Sequence, residues 1–250
     1  MRKTHHLFAA MLFAVSLTTT AKEGAGKGVD FSGCPQFFVN GTAPSIPNAP
    51  FWMPRALCYD AFAVLHSGTT KTPLFVAERL NRADLAKAER AKRSNRIFAD
   101  TRLPRVERAQ LADYKHSGFA PARLATANMA TKRAFAQSFS LANIVPQSPQ
   151  HSQQAWAEIE MATRQYVMRA PGDVFVISGP VFESGSQSIG PGKVRVPQYL
   201  YKLVYDPASG RAWAYWLENA DQSGIGREIS YSELVERTGT QFLPGLKVAR

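Results

Sequence analysis

Glu160 and Arg164 stand four residues apart in Ser152–Arg169, a stretch that reads as one helix, so they share a face one turn from each other. At that spacing the plain reading is a routine helix salt bridge, and only what surrounds the pair can argue for more. Imidazole is the side chain best suited to moving a proton near neutral pH, and the chain has five: His5, His6, His66, His116 and His151. Two cysteines, Cys34 and Cys58, are too few for a zinc ribbon and suit a disulfide in an exported protein, with two buried free thiols as the alternative. No Walker-type phosphate loop, no Gly-x-Ser-x-Gly elbow and no His-Glu-x-x-His pair occurs, which removes several reaction classes.

These groups need elements to hold them. In Ser152–Arg169, Trp156, Ile159, Thr163, Tyr166 and Val167 recur near one side and Pro171-Gly172 ends the pattern, as for an amphipathic helix. Tyr59–His66 and Pro73–Glu78 read as two hairpin strands around Ser67-Gly68, and Val174–Ser178 as another strand. Val196–Tyr205 and Arg211–Glu218 flank Asp206-Pro207-Ala208-Ser209-Gly210 and read as a long hairpin. Its aromatics (Tyr199, Tyr201, Tyr205, Trp213, Tyr215, Trp216) fit sheet packing before base stacking. Val39–Pro54 reads as an irregular loop, Asn81–Arg108 as a short helix and an extended crossing segment, and Ser230-Tyr231-Ser232-Glu233 as a capping box opening a last helix that ends near Gly239.

Residues 1–21 have the form of a cleavable secretory signal: Arg2 and Lys3, an apolar run Leu7–Leu17, then Thr19-Thr20-Ala21. Residues 22–29 read as a flexible linker and 30–246 as a single domain, secreted or periplasmic, with no later stretch long and apolar enough to anchor it in a membrane. The net charge is +11, of which the signal carries two charges; between Arg79 and Arg133 stand 14 Lys and Arg against five acids. Such a field favours polyanions and says nothing about fold. The basic stretch is either a solvated face or a phosphate-facing surface that includes Arg123, Lys132 and Arg133.

The run Ser138-Phe139-Ser140-Leu141-Ala142-Asn143-Ile144-Val145-Pro146-Gln147, nine residues before Trp156-Ala157-Glu158-Ile159-Glu160, resembles the core of the DNA/RNA non-specific endonucleases, the ββα-metal nucleases. Cys34–Phe38, Ala61–Gly68, Ala112-Asp113-Tyr114 with Ser117-Gly118-Phe119, Ile177–Phe182, and Val196-Pro197 with Tyr201-Lys202 extend the likeness over most of the chain. The resemblance implies an α+β fold, a central antiparallel β-sheet flanked by helices with a ββα-metal site, and Mg²⁺-dependent cleavage of DNA and RNA. It further implies a His general base in an Asp-Arg-Gly-His stretch after the Ser-Gly-aromatic element, and a metal-binding Asn four residues before the helix Trp. It implies too that a Glu and an Arg one turn apart on the helix support the metal-bound waters and the transition-state charge, and Glu160 and Arg164 match that pair.

The sequence departs from that pattern at its centre. Ala120-Pro121-Ala122-Arg123 follows Phe119, so Arg123 stands where the base is expected, and an arginine stays protonated at ordinary pH. Ser152 stands at the Asn position. Arg123, Glu160 and Arg164 therefore mark the catalytic positions, Ser152, His151 and Glu160 the metal positions, and Arg123, Lys132, Arg133 and Arg164 the contacts to DNA or RNA. The favoured expectation is a nucleic-acid-binding protein with weak or no hydrolysis. Its rivals are an active endonuclease whose base has moved to His116 or His151, and a non-catalytic module that binds a protein partner.

Overall fold

A computed structural model describes Met1 and residues 29–88, 95–126, 130–150, 154–221 and 226–248. The expected signal and nearly all of the linker lie outside the described residues, as do His151 and Ser152.

Val174–Val181 (β6) and Tyr199–Asp206 (β9) are almost continuously apolar or aromatic, which suits strands covered on both faces, and they pair antiparallel at the centre of the molecule. Around them lie Pro54–Cys58 (β1), Ala63–Ser67 (β2), Pro73–Leu80 (β3), Arg211–Glu218 (β10) and Arg227–Ser230 (β11). Among the described residues these make one antiparallel sheet of seven strands, ordered β1-β2-β3-β6-β9-β10-β11. The β9–β10 hairpin runs as expected, from Tyr199 opposite Glu218 to Asp206 opposite Arg211, with Gly210 in the left-handed region at its turn.

Period-2 alternation on β9 divides the core. Tyr201, Leu203 and Tyr205 pack with Phe31, Phe37, Phe38, Phe75, Leu234 and Phe242 on one face. On the other face Leu200 packs with Trp156, Ile159, Leu124 and Val145, and Val204 with Val167 and Trp213. The long helix Ala155–Arg169 (α4) lies on this second face, with Trp156 and Ile159 3% and 2% exposed. Two such side chains contribute about 1.5–3 kcal/mol each. Shorter helices surround the sheet: Arg82–Ala88 (α1), Leu111–Tyr114 (α2), Lys132–Gln137 (α3) and Tyr231–Thr238 (α5). Ser188–Ile189 (β7) and Val194–Arg195 (β8) form a small ribbon of their own. The architecture is α+β, an antiparallel sheet flanked by helices.

Local expectations shift in three places. The strand read from Tyr59 begins only at Ala63, because the amide of Tyr59 bonds the carbonyl of Phe62 and turns the chain. The loop read as Val39–Pro54 gives way at Pro54 to an edge strand, Pro54–Cys58, for which the sequence reading has no element, and 3₁₀ turns at Val39–Gly41 and Ala49–Trp52 interrupt the loop before it. Ser230 caps α5 by accepting the amide of Glu233 at 3.1 Å, but the Glu233 carboxylate pairs with Arg237 and Arg227.

His66 on β2 is fully buried. Its Nε2 lies 2.8 Å from the Glu107 carbonyl oxygen, to which it donates as the neutral tautomer, while Nδ1 has no hydrogen-bond partner among the described residues. Burial pushes its pKa from 6.5 down to about 4, with the Glu107 carbonyl and the Glu107 and Asp100 carboxylates opposing the shift. Between those two values the unfolded chain binds the proton and the folded chain does not, so stability is full above pH 6.5 and falls as pH drops toward 4. Denaturant unfolding at pH 7.5 and 4.5 is expected to differ by up to about 3 kcal/mol from this group. A His66→Gln variant should lose most of that pH difference; an unchanged pH dependence in the variant would show that His66 is not its source.

Candidate functional site

Ala120–Arg123 (β4) and Ile144–Gln147 (β5) pair outside the large sheet, Ala120 opposite Gln147 and Arg123 opposite Ile144. Pro121 faces Pro146 in this register, and two residues without an N–H are tolerated because both strands of an isolated ribbon are edges. After β5 the chain reaches α4, and Leu124, Ala125, Val145, Trp156 and Ile159 join ribbon and helix in one apolar cluster. Two strands and a helix thus converge where β4 ends.

Asn143 sets the course of the chain after β4. Fully buried, it accepts the Ala125 amide on Oδ1 at 2.9 Å and donates through Nδ2 to the carbonyls of Ala125 and Ser138 at 3.1 and 2.8 Å. Thr126 follows directly, and its hydroxyl donates to Glu160 Oε1 at 2.8 Å. Trp156 Nε1 donates to the same oxygen at 3.1 Å. Lys202, only 3% exposed on β9, holds its ammonium 4.8 Å from the centre of the Trp156 ring and donates to Ser178 Oγ at 3.0 Å. Glu160 is therefore tied to the chain after β4 and to its own helix, and no Glu160–Arg164 salt bridge is among the ion pairs of the described residues. Arg164 is half-buried one turn further on, with a buried Nη1 that has no hydrogen-bond partner among the described residues.

Arg123, at the end of β4, is built into the fold. Its Nη1 donates to Ser138 Oγ at 2.8 Å, and its guanidinium carbon lies 4.2 Å from the centre of the Phe139 ring and 5.6 Å from that of Phe135. Lys132 and Arg133 open α3, which Thr131 caps by accepting the Ala134 amide at 3.0 Å; both are exposed, and Arg133 pairs with Asp60 at 3.0 Å. His116 is exposed on the turn before β4, with the whole strand, roughly 10 Å of rise, between that end and Arg123.

The segment beneath the site is anchored by Asp100. It accepts the Tyr59 hydroxyl at 2.6 Å and Arg102 Nη2 at 2.7 Å, and the Tyr59 oxygen in turn accepts from the Ser140 hydroxyl at 3.0 Å. Burial pushes the Asp100 carboxyl up, but the bonds from Arg102 and Tyr59 outweigh it and hold the pKa at about 2.

A model of the DNA/RNA non-specific endonucleases matches residues 45–249. The chain belongs to that family. It is 29% identical over 218 residues to "Nuclease EXOG, mitochondrial" of Danio rerio, covering 79% of this chain and 61% of that protein. It is 30% identical over 209 residues to "Endonuclease G, mitochondrial" of Homo sapiens, covering 76% of this chain and 67% of the other. A crystal structure of the EndoG/EndoGI complex matches with a TM-score of 0.68 at 20% identity, over 77% of this chain and 86% of the other. The ββα arrangement of β4, β5 and α4 is what the family resemblance led one to expect.

The family is metal-dependent; of the expected metal positions only Glu160 lies among the described residues, and its surroundings there do not favour a divalent cation. Glu160 Oε1 already receives two hydrogen bonds, Arg164 stands one helical turn away, the Lys202 ammonium lies on the indole that bonds Glu160, and no group of three His, Cys, Asp or Glu among the described residues is arranged to hold a metal ion. Sequence reasoning singled out Glu160 and Arg164 but missed Thr126 and Lys202. Lys202 was within reach, since a lysine inside an apolar strand pattern has to find a partner; nothing in the sequence marks Thr126.

Proposed function

We propose that this protein binds nucleic acid non-specifically through its phosphates and has lost most or all of the phosphodiester hydrolysis associated with its family. The observation that carries the reading is Arg123. At the position of the expected general base stands a group that cannot accept a proton near neutral pH, fixed by Ser138 and Phe139 as part of the fold. The basic character around it, with Lys132 and Arg133 exposed on α3 and Arg164 on α4, supplies the phosphate-facing charge. DNA or RNA is the polymer class; export to the periplasm or beyond the cell agrees with the signal-like residues 1–21.

Salt dependence of binding tests this. If about five phosphates are neutralised, log K falls against log salt with a slope near −4.5, and affinity drops roughly 10²–10³-fold between 50 and 200 mM salt, equally for unrelated sequences. Lys132→Ala is expected to reduce the slope by about one. A flat slope, or no retention of DNA or RNA at 50 mM salt, would favour a module that docks on a protein instead.

A further inference from the structure

We propose that the site at the end of β4 is a phosphate receptor that works without a divalent cation, the Thr126 hydroxyl holding the place on Glu160 that a metal-bound water needs. This rests on the nucleic-acid reading above and adds the state in which the polymer is bound.

A carboxylate that supports a metal-bound water does so by accepting a hydrogen bond from its O–H. Thr126 offers the same donor at 2.8 Å, on the oxygen that also takes Trp156 Nε1. Neither donor is loosely held. Trp156 is 3% exposed, and Thr126 follows Ala125, whose amide and carbonyl are both bonded by Asn143. A metal-bound water would have to compete with a hydroxyl that the backbone delivers to Glu160 already ordered.

Charge points the same way. The Lys202 ammonium lies on the indole that bonds Glu160, and Arg164 stands one helical turn beyond. Two cations beside Glu160 oppose a divalent cation and attract a phosphate. The buried Arg164 Nη1 has no partner among the described residues, and a phosphate oxygen would satisfy it with a charge-assisted hydrogen bond.

Two measurements decide. In the first, fluorescence anisotropy follows the purified protein on a labelled 20-mer, in EDTA and in 5 mM Mg²⁺ at matched ionic strength. Affinity is expected to agree within twofold between the buffers, and Arg164→Ala is expected to weaken it about tenfold or more in both. Tightening by Mg²⁺ of more than tenfold, abolished in Glu160→Gln, overturns the metal-free receptor while leaving nucleic-acid binding intact; absence of binding in both buffers overturns the nucleic-acid reading as well. The second measurement needs no polymer. Thermal melting of the wild type should not move with Mn²⁺ up to 5 mM, and Thr126→Val, Glu160→Gln and the double variant should show non-additive losses, as expected for one shared hydrogen bond. A saturable Mn²⁺ stabilisation that Glu160→Gln removes, or strictly additive losses, would reject the role given to Thr126.

Discussion

Plasmid DNA and RNA incubated with the purified protein in Mg²⁺ are expected to remain uncut at enzyme concentrations where family nucleases digest them fully. Removing a general base alone typically costs 10²–10⁴-fold, and in the function proposed above Arg123, a cation fixed by Ser138 and Phe139, stands at the base position. The same proposal puts Ser152 at the metal-binding Asn position, and Glu160 is bonded by Thr126. Because these losses act on one reaction, single reversions should recover little. Arg123→His, Ser152→Asn and Thr126→Ala combined are expected to raise Mg²⁺-dependent nicking about 10²-fold or more over the wild type, with EDTA abolishing the gain. Cleavage by the unmodified protein that Glu160→Gln eliminates would instead establish an active endonuclease and direct attention to His116 and His151 as bases.

Loss of the Cys34–Cys58 disulfide is expected to lower the melting temperature by roughly 6–12 °C. The bond closes a loop of 24 residues and joins the N-terminal segment to the last residue of the edge strand β1. In the loop-entropy account a closure of that length contributes about 3 kcal/mol, and a domain of this size loses about 2–4 °C per kcal/mol. Cys34 is also 1% exposed in the cluster of Phe31, Phe37, Phe38 and Phe75, and the Cys58 carbonyl accepts Arg102 Nη1 at 2.8 Å, so the bond connects one core to the Asp100 network beneath the site. A Cys34→Ala, Cys58→Ala double variant should melt at the lower temperature and be indifferent to dithiothreitol, whereas the wild type should move to it on reduction. A double variant melting within 2 °C of the wild type would show that the bond is dispensable for stability.

The family was legible because its marks are local. Ser138–Gln147, the helix that bears Trp156, Glu160 and Arg164, and the β9–β10 hairpin are each declared by spacing within about twenty residues. Periodicity also separated the buried from the exposed side of α4, since Trp156, Ile159, Thr163 and Val167 fall inside as their positions on one face require. The edge strand β1 and the ribbon strand β4 were less visible. Each is short and proline-bearing, and its pairing is supplied by a partner strand rather than by its own pattern.

What the sequence by itself determined is the set of groups and their local frame: the two cysteines, the carboxylate–guanidinium spacing, the arginine four residues after Phe119. What only the tertiary structure decided is which of them touch. Thr126 meets Glu160 across 34 residues, Arg123 finds Ser138 across 15, and His66 reaches the Glu107 carbonyl across 41. Side chains that far apart are brought within 3 Å only by the packing of ribbon, sheet and helix, and a hydrogen bond or a buried charge depends on that distance and burial rather than on residue type.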